Sequence, residues 1–340
     1  MIPTAIFLLV LFVITLTVAA YSTYGERKVA AFMQDRLGPN RAGPFGLLQP
    51  LADGAKMFMK EDFVPANANR ILYFLGPAVA MTTALITGVV IPWGGTLQIG
   101  DVSIPLQGMD PEVGVLFVFA MVGIGVYGIM LGGWASNNKY SLLGAIRAAS
   151  QMVSYELAMG LSIVALVMMN GTLSLGGIVD YQAEHGWNIL YQPLGFLIFI
   201  VCAFAETNRS PFDMPECETE LVGGFHTEFS SMKLGFYLFA EYVNMFISSA
   251  VMATLYFGAY HVPGLADSGW NPNLITIIGV AAMFAKTFFF IFLFMWVRWT
   301  LPRFRFDQLM NLGWKGLIPL AILNILITAG IMLAQGQLTP

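Results

Sequence analysis

Charge is the scarcest commodity in this chain. Only 11% of its 340 residues are Asp, Glu, Lys or Arg, less than half the share of about a quarter found in soluble domains. That shortage excludes an ordinary water-soluble protein and points to lipid as the natural solvent. A basic excess is missing too: 16 Lys and Arg stand against 20 Asp and Glu, a formal net charge of −4. With no basic tail and no run of five like charges, no nucleic-acid partner is expected. Cysteine is almost absent. Cys202 and Cys217 are too few and too far apart for a disulfide framework or an iron–sulfur site. The three histidines, His185, His226 and His261, are scattered, and neither HExxH nor CxxC occurs, so metal or serine–histidine catalysis finds little support. The chain has no means of carrying electrons itself, and any redox chemistry must belong to a partner.

What is present is apolar length. Hydrophobic residues make up 57% of the chain, aromatics 14%, and the mean hydropathy is +0.71. Runs over roughly 3–24, 71–91, 113–134, 149–169, 191–207, 235–258, 274–297 and 316–335 are each about 20 residues, long enough for a ~30 Å hydrocarbon core. The fifth is the shortest. The expected fold is an all-α polytopic membrane protein, a single membrane domain over 1–340 with about eight transmembrane helices. Glu26-Arg27-Lys28 follows the first apolar run and no basic segment precedes it, which favours a retained first span over a cleaved signal peptide.

The basic residues test this arrangement. With both termini on the outer side, 15 of the 16 bases fall in inner segments, and the outer segments hold only acids: Asp101, Asp110, Glu112, Asp180, Glu184 and Asp267. The remaining base, Lys286, lies inside the seventh span. So complete a bias supports eight spans. No internal repeat of the kind that marks many secondary transporters is visible.

Two inner segments stand out. In 25–70, the stretch FGLLQPLADGAKMFMKE (45–61) places Gln49, Asp53, Lys56 and Lys60 on one narrow helical face and Leu48, Leu51, Ala52, Ala55, Phe58 and Met59 on the other. This predicts an amphipathic helix lying in the membrane interface. The second segment, 206–234, opens with ETNRSPFDMPECETELVGGF. It concentrates Glu206, Asp213, Glu216, Glu218, Glu220 and Glu228 around a single Arg209. Met214-Pro215 and Val222-Gly-Gly-Phe225 interrupt these acids, so a packed loop is expected rather than a solvated one. Ionisable groups also lie within spans: Glu156, Glu241 and Lys286. Such residues face the bundle interior or water and are functional by default. The geometry suggested is a line of carboxylates running from the inner loop into the bilayer. A match to GxGxxG at Gly123–Gly128 sits inside an apolar span, where its glycines serve close helix packing rather than a nucleotide.

Several long motifs occur together and in order: QDRLGPNRAGPFGLLQPLADGAKMFMKE (34–61), GGWASNNKYSLLGAIRAASQMVSYE (132–156), AETNRSPFDMPECETELVGGFHTEF (205–229), AEY (240–242) and VRWTLPRFRFDQLMNLGWK (297–315). On these the chain resembles the H-subunit family of proton-translocating NADH:quinone oxidoreductase (respiratory complex I), equivalent to subunit 1 of mitochondrial NADH dehydrogenase. The resemblance implies a membrane subunit at the junction with the peripheral redox arm. Glu26, Arg27, Arg36, Asp53 and Phe225 would lie along the quinone route. Glu206, Arg209, Asp213, Glu216, Glu218, Glu220 and Glu228 would form a charged loop near the quinone chamber. Glu156 and Glu241 would begin the proton path toward the antiporter-like subunits, and Lys286, as an ionisable group within a span, is placed on that path too. Quinone would be the substrate. FMN and iron–sulfur clusters would reside only in partner subunits, and the neighbours would be peripheral-arm, small and antiporter-like membrane subunits in a bacterial inner membrane or a mitochondrial one. The alternatives are the homologous subunit of a ferredoxin- or hydrogenase-linked complex, an independent proton or cation transporter, and a purely structural anchor.

Overall fold

The computed structural model describes residues 2–100, 102–215, 218–265 and 269–335. The long apolar runs are helical: α1 (Ile2–Met33), α3 (Arg70–Thr87), α4 (Gly114–Ala135), α5 (Lys139–Asn170), α8 (Pro193–Glu206), α10 (Ser231–Phe257), α11 (Pro272–Thr300) and α13 (Ile318–Ala334). Shorter helices join them: α2 (Gln49–Met59), α6 (Leu175–His185), α7 (Asn188–Tyr191), α9 (Glu218–Leu221) and α12 (Phe306–Asn311). Helix α12 continues through a π-helical turn, Leu312–Leu317, into α13. Among the described residues seven helices are long and apolar enough to cross a membrane. Helix α8, at 14 residues, extends about 21 Å at 1.5 Å per residue, short of a hydrocarbon core.

Local chemistry sets the boundaries. Asn138 caps α5 by accepting from the Tyr140 amide at 2.9 Å, and the helix ends on Gly171, which adopts φ +70°. Such a left-handed terminal position suits glycine because it has no Cβ to clash. Asn271 caps α11 just ahead of Pro272, whose missing N–H would be unpaired at a helix start in any case.

One element falls outside the all-α expectation. Between α3 and α4 the chain forms an antiparallel hairpin, β1 (Thr96–Ile99) with β2 (Val102–Pro105), pairing Thr96 with Pro105 and Ile99 with Val102. It is fastened to the start of α11, where Asn273 accepts from the Gln98 amide at 2.9 Å and donates to the Gln98 carbonyl at 2.6 Å. Four-residue strands carry too little alternation to separate them from an ordinary loop.

The glycines of α4 do the packing expected of them. A Cβ on Gly128 would come within 2.8 Å of the Ala80 amide nitrogen and 2.9 Å of the Gly76 carbonyl oxygen on α3. Tyr237 of α10 reaches into the same seam and donates to the Gly128 carbonyl at 2.9 Å. Small residues let these backbones approach closely where lipid offers no hydrophobic driving force.

Helix α2 is turned inside out relative to a soluble amphipathic helix. Asp53 faces α1, and the Met57 carbonyl accepts from Ser231 at the start of α10, at 3.1 Å. Leu51, Phe58 and Met59 point away from the protein and are exposed.

Candidate functional site

The salt bridges among the described residues gather at one end of the bundle, here termed the basic end. Glu26, near the end of α1, is 5% exposed. One of its oxygens accepts from Arg209 at 2.9 Å and from the Tyr242 hydroxyl at 3.1 Å, and the other pairs with Arg298 at 2.7 Å. The guanidinium of Arg209 lies 4.0 Å from the centroid of the Tyr242 ring. Buried charges persist only when paired and hydrogen-bonded, and here one carboxylate serves two guanidiniums drawn from a loop and from α11. Burial pulls Arg209 down, but Tyr242, Glu26 and Glu241 more than offset it, so its proton is held more tightly than in a free arginine. Arg209 Nε and Nη2 are buried with no acceptor among the described residues.

The loop after α8 packs inward. Arg209 and Asp213 are buried, together with Phe212, Met214, Phe225 and Phe229. Asp213 pairs with Arg303. Gln151 of α5, fully buried, fixes the turn by donating to the carbonyls of Ala205 and Phe212, both at 2.7 Å, across 54 and 61 residues of sequence. Arg147 holds Glu220 at 2.6 Å, and Asn138 donates to Glu228 at 2.6 Å. Glu218 lies in α9, and Glu216 lies outside the described residues.

The other residues expected along the quinone route are distributed around this core. Arg27 pairs with Asp53 at 2.7 Å, a half-exposed bridge that ties α1 to α2. Arg36 is exposed, and its Nε donates to Gln34 at 2.7 Å. Phe225 is 2% exposed, set edge-on to the rings of His226 and Tyr237.

Beside the ion cluster lie two voids. The first is walled by α3, α4, α8 and α10 and is lined by Thr83, Thr87, Phe225, Glu206, Glu241 and Asn244, among others. The second continues from it, sharing Thr87, Val122, Glu206 and Asn244 and reaching Ser248 and Phe199. Glu156 stands within electrostatic reach of Glu206, and Gly123 of α4 leaves room for its carboxylate: a Cβ there would lie 3.2 Å from Oε1. The structure thus brings Glu206, Glu241 and Phe225 to one void and sets Glu156 next to it. Carboxyl groups facing water-sized spaces inside a low-dielectric bundle can take up and pass on protons.

Lys286 stands apart from this set. Its ammonium donates to the carbonyls of Phe257, Ala259 and His261 at 2.7, 2.7 and 2.9 Å, with the Trp187 ring centroid 5.2 Å away. Those carbonyls belong to the last residue of α10 and the chain just beyond it, at the opposite end of that helix from Ser231.

Sequence reasoning did not single out Gln151, Tyr242, Asn244, Arg298 or Arg303 as site residues. The available signal was an amide or ring near an intramembrane acid: Gln151 five residues before Glu156, Tyr242 directly after Glu241 and Asn244 three residues after it.

A bundle of apolar helices enclosing a carboxylate-lined void beside a buried ion cluster defines a polytopic membrane protein. The NADH dehydrogenase family pattern matches residues 5–329. The chain is 66% identical over 322 residues to an H subunit of NADH-quinone oxidoreductase from Cytophaga hutchinsonii, covering 95% of this chain and 94% of that protein. It is 60% identical to the H subunit of NADH-quinone oxidoreductase from Flavobacterium johnsoniae, covering 97% and 95%. It is 50% identical to an H subunit of the same enzyme from Geobacter metallireducens, covering 96% and 95%. The chain belongs to the NADH dehydrogenase family, with the H subunits of NADH-quinone oxidoreductase.

Proposed function

We propose that this chain is the membrane subunit of a proton-translocating NADH:quinone oxidoreductase that shapes part of the quinone chamber and relays the consequence of quinone reduction into the bilayer as proton movement. In this reading eight helices span a bacterial inner membrane, α8 with its flanking residues being one of them. Both termini lie outside, and the basic end faces the cytoplasm. Segment 25–70 and the acidic loop 206–234 then lie where the peripheral arm docks. Partner subunits supply FMN and the iron–sulfur clusters, quinone is the substrate, and small and antiporter-like membrane subunits receive the proton signal.

Glu26, Arg27, Arg36, Asp53 and Phe225 are assigned to the quinone side. Arg209, Asp213, Glu216, Glu218, Glu220 and Glu228 form the charged loop beside it. Glu206 joins that loop to the path through Glu241 and Glu156. Quinone reduction takes up two protons and changes the local charge. A network of shared carboxylates responds to such a change as a unit, because the partners titrate together. Lys286 we leave outside the path. A lysine ammonium has three donors, and all three are committed to carbonyls, which makes it an anchor.

The observation that carries this reading is the shared void: Phe225, which we assign to the quinone side, Glu206 at the end of α8 and Glu241 on α10 line one space. The test is Glu241→Gln in the assembled complex in membrane vesicles. Protons moved per NADH oxidised should fall about tenfold, equivalent to about 1.4 kcal/mol on the limiting step, with subunit content unchanged. A normal ratio would remove Glu241 from the path.

A further inference from the structure

Asn244 belongs to no motif used so far, yet it is the side chain on which the two voids meet. It sits 13 residues after Ser231 on the 27-residue α10, about 20 Å along the axis at 1.5 Å per residue, and so near the middle of the helix. It lines both voids, as do Glu206, Thr87 and Val122. Its carboxamide makes no hydrogen bond to any described residue and is only half-buried, because it opens into these spaces. An amide at that depth without a polar partner is unfavourable, and native proteins satisfy such groups with protein or with ordered water. Each void has a volume of ≈ 30 Å³, enough for about two waters at ~10–15 Å³ of centre volume each. The walls offer the two to four polar partners a buried water needs. Thr87 donates its hydroxyl proton to the Thr83 carbonyl at 2.8 Å, which leaves its oxygen free to accept. Ser248 lies at the far side of the second void.

We infer that Asn244 and Thr87 bind the water that joins the Glu206–Glu241 void to the second void, and that Asn244 is a positioning residue for proton passage past the middle of α10. An amide suits this task because it both donates and accepts and does not itself titrate. A proton leaving the Glu206 carboxyl is taken by the bound water. That water releases a proton to the next one in the second void, and the protonated carboxyl is restored when a proton arrives from the basic end. Asn244 holds the water in register throughout and ends as it began.

This inference rests on the reading of Glu206 and Glu241 as proton carriers, and the experiment separates the two. Asn244→Leu, Asn244→Ser, Thr87→Val and Glu206→Gln are each prepared in the assembled complex, with subunit content checked. Protons moved per NADH oxidised are measured in membrane vesicles. Asn244→Leu fills the junction with apolar surface and should lower the ratio at least about fivefold, while Asn244→Ser keeps a hydroxyl and room for an extra water and should retain half or more. Thr87→Val should lower it about twofold without disturbing the fold, since the two side chains are nearly the same size. A normal ratio in Asn244→Leu, or a ratio in Asn244→Ser as low as in Asn244→Leu, overturns the inference. Should Asn244→Leu fail to assemble, a normal ratio in Thr87→Val overturns it. If Glu206→Gln itself pumps normally, the carboxylate reading fails first. If Glu206→Gln is impaired while Asn244→Leu is normal, only the water junction fails.

Discussion

The two ends of α10 hold their ionisable groups in different ways. Around its last turn the charged group and two amides are answered by protein, while Trp187 Nε1, Asn188 Oδ1, the Tyr256 hydroxyl and His261 Nδ1 are buried without a partner among the described residues. Lys286 donates to three carbonyls; Gln182 donates to Thr254 at 2.8 Å and accepts from Gly258 at 2.9 Å; Asn188 donates to Leu255 at 2.8 Å. The positive charge also complements the negative end of the helix dipole. Toward the other end, Glu206, Glu241 and Asn244 line voids, and the Asn244 carboxamide makes no hydrogen bond to any described residue. A saturated group is locked, because any movement loses a hydrogen bond and gains nothing in a low-dielectric interior. A group facing a small polar space can exchange protons at little structural cost. The first arrangement is a latch and the second a path, although both read in the sequence simply as charge within a span.

The largest expected effect comes from breaking the latch. Lys286→Met leaves three carbonyls without their donor, each worth about 1–3 kcal/mol when buried, a sum larger than most single substitutions produce. The amount of assembled complex and its thermal midpoint should both drop sharply, and Lys286→Arg should restore part of the loss. Next comes the clamp at the basic end. Gln151→Leu strips the donors from Ala205 and Phe212 and should destabilise by about 2 kcal/mol, visible as a lower midpoint of the purified complex. Smaller still is the half-exposed Arg27–Asp53 bridge. A double-mutant cycle with alanine at both positions should give a coupling of ~0.2–1 kcal/mol that shrinks further in high salt.

The smallest effect is a pH dependence confined to the latch. Burial and the neighbouring Lys286 ammonium push His261 below its ordinary value of 6.5. The unfolded chain therefore protonates first, so the contribution is full above the ordinary value and is lost as pH falls toward and through the lower folded one. Between about pH 8 and about pH 5.5 the thermal midpoint should decline less in His261→Asn than in the unaltered complex.

The helices were legible because each is a long apolar run bounded by Asn, Gly or Pro, a signal that survives without tertiary context. The ions within the spans were legible because charge there is rare. The pairings were not. Glu26 and Arg209 are 183 residues apart, and no spacing rule joins them. Nor does the sequence distinguish Lys286 from Glu241, since the difference lies in what the folded chain places opposite each. The outward-facing apolar side of α2 follows from the expected interfacial helix only once its Asp53 side is seen against α1. The hairpin at 96–105 was missed because two short strands between spans look like any connecting loop.

The most direct test is a side-by-side measurement of protons moved per NADH oxidised, per assembled complex, in Glu206→Gln and Lys286→Met vesicles. The account predicts a ratio about tenfold down in the first and unchanged in whatever complex survives in the second. A normal ratio with Glu206→Gln, or a lost ratio with Lys286→Met in fully assembled complex, would contradict it.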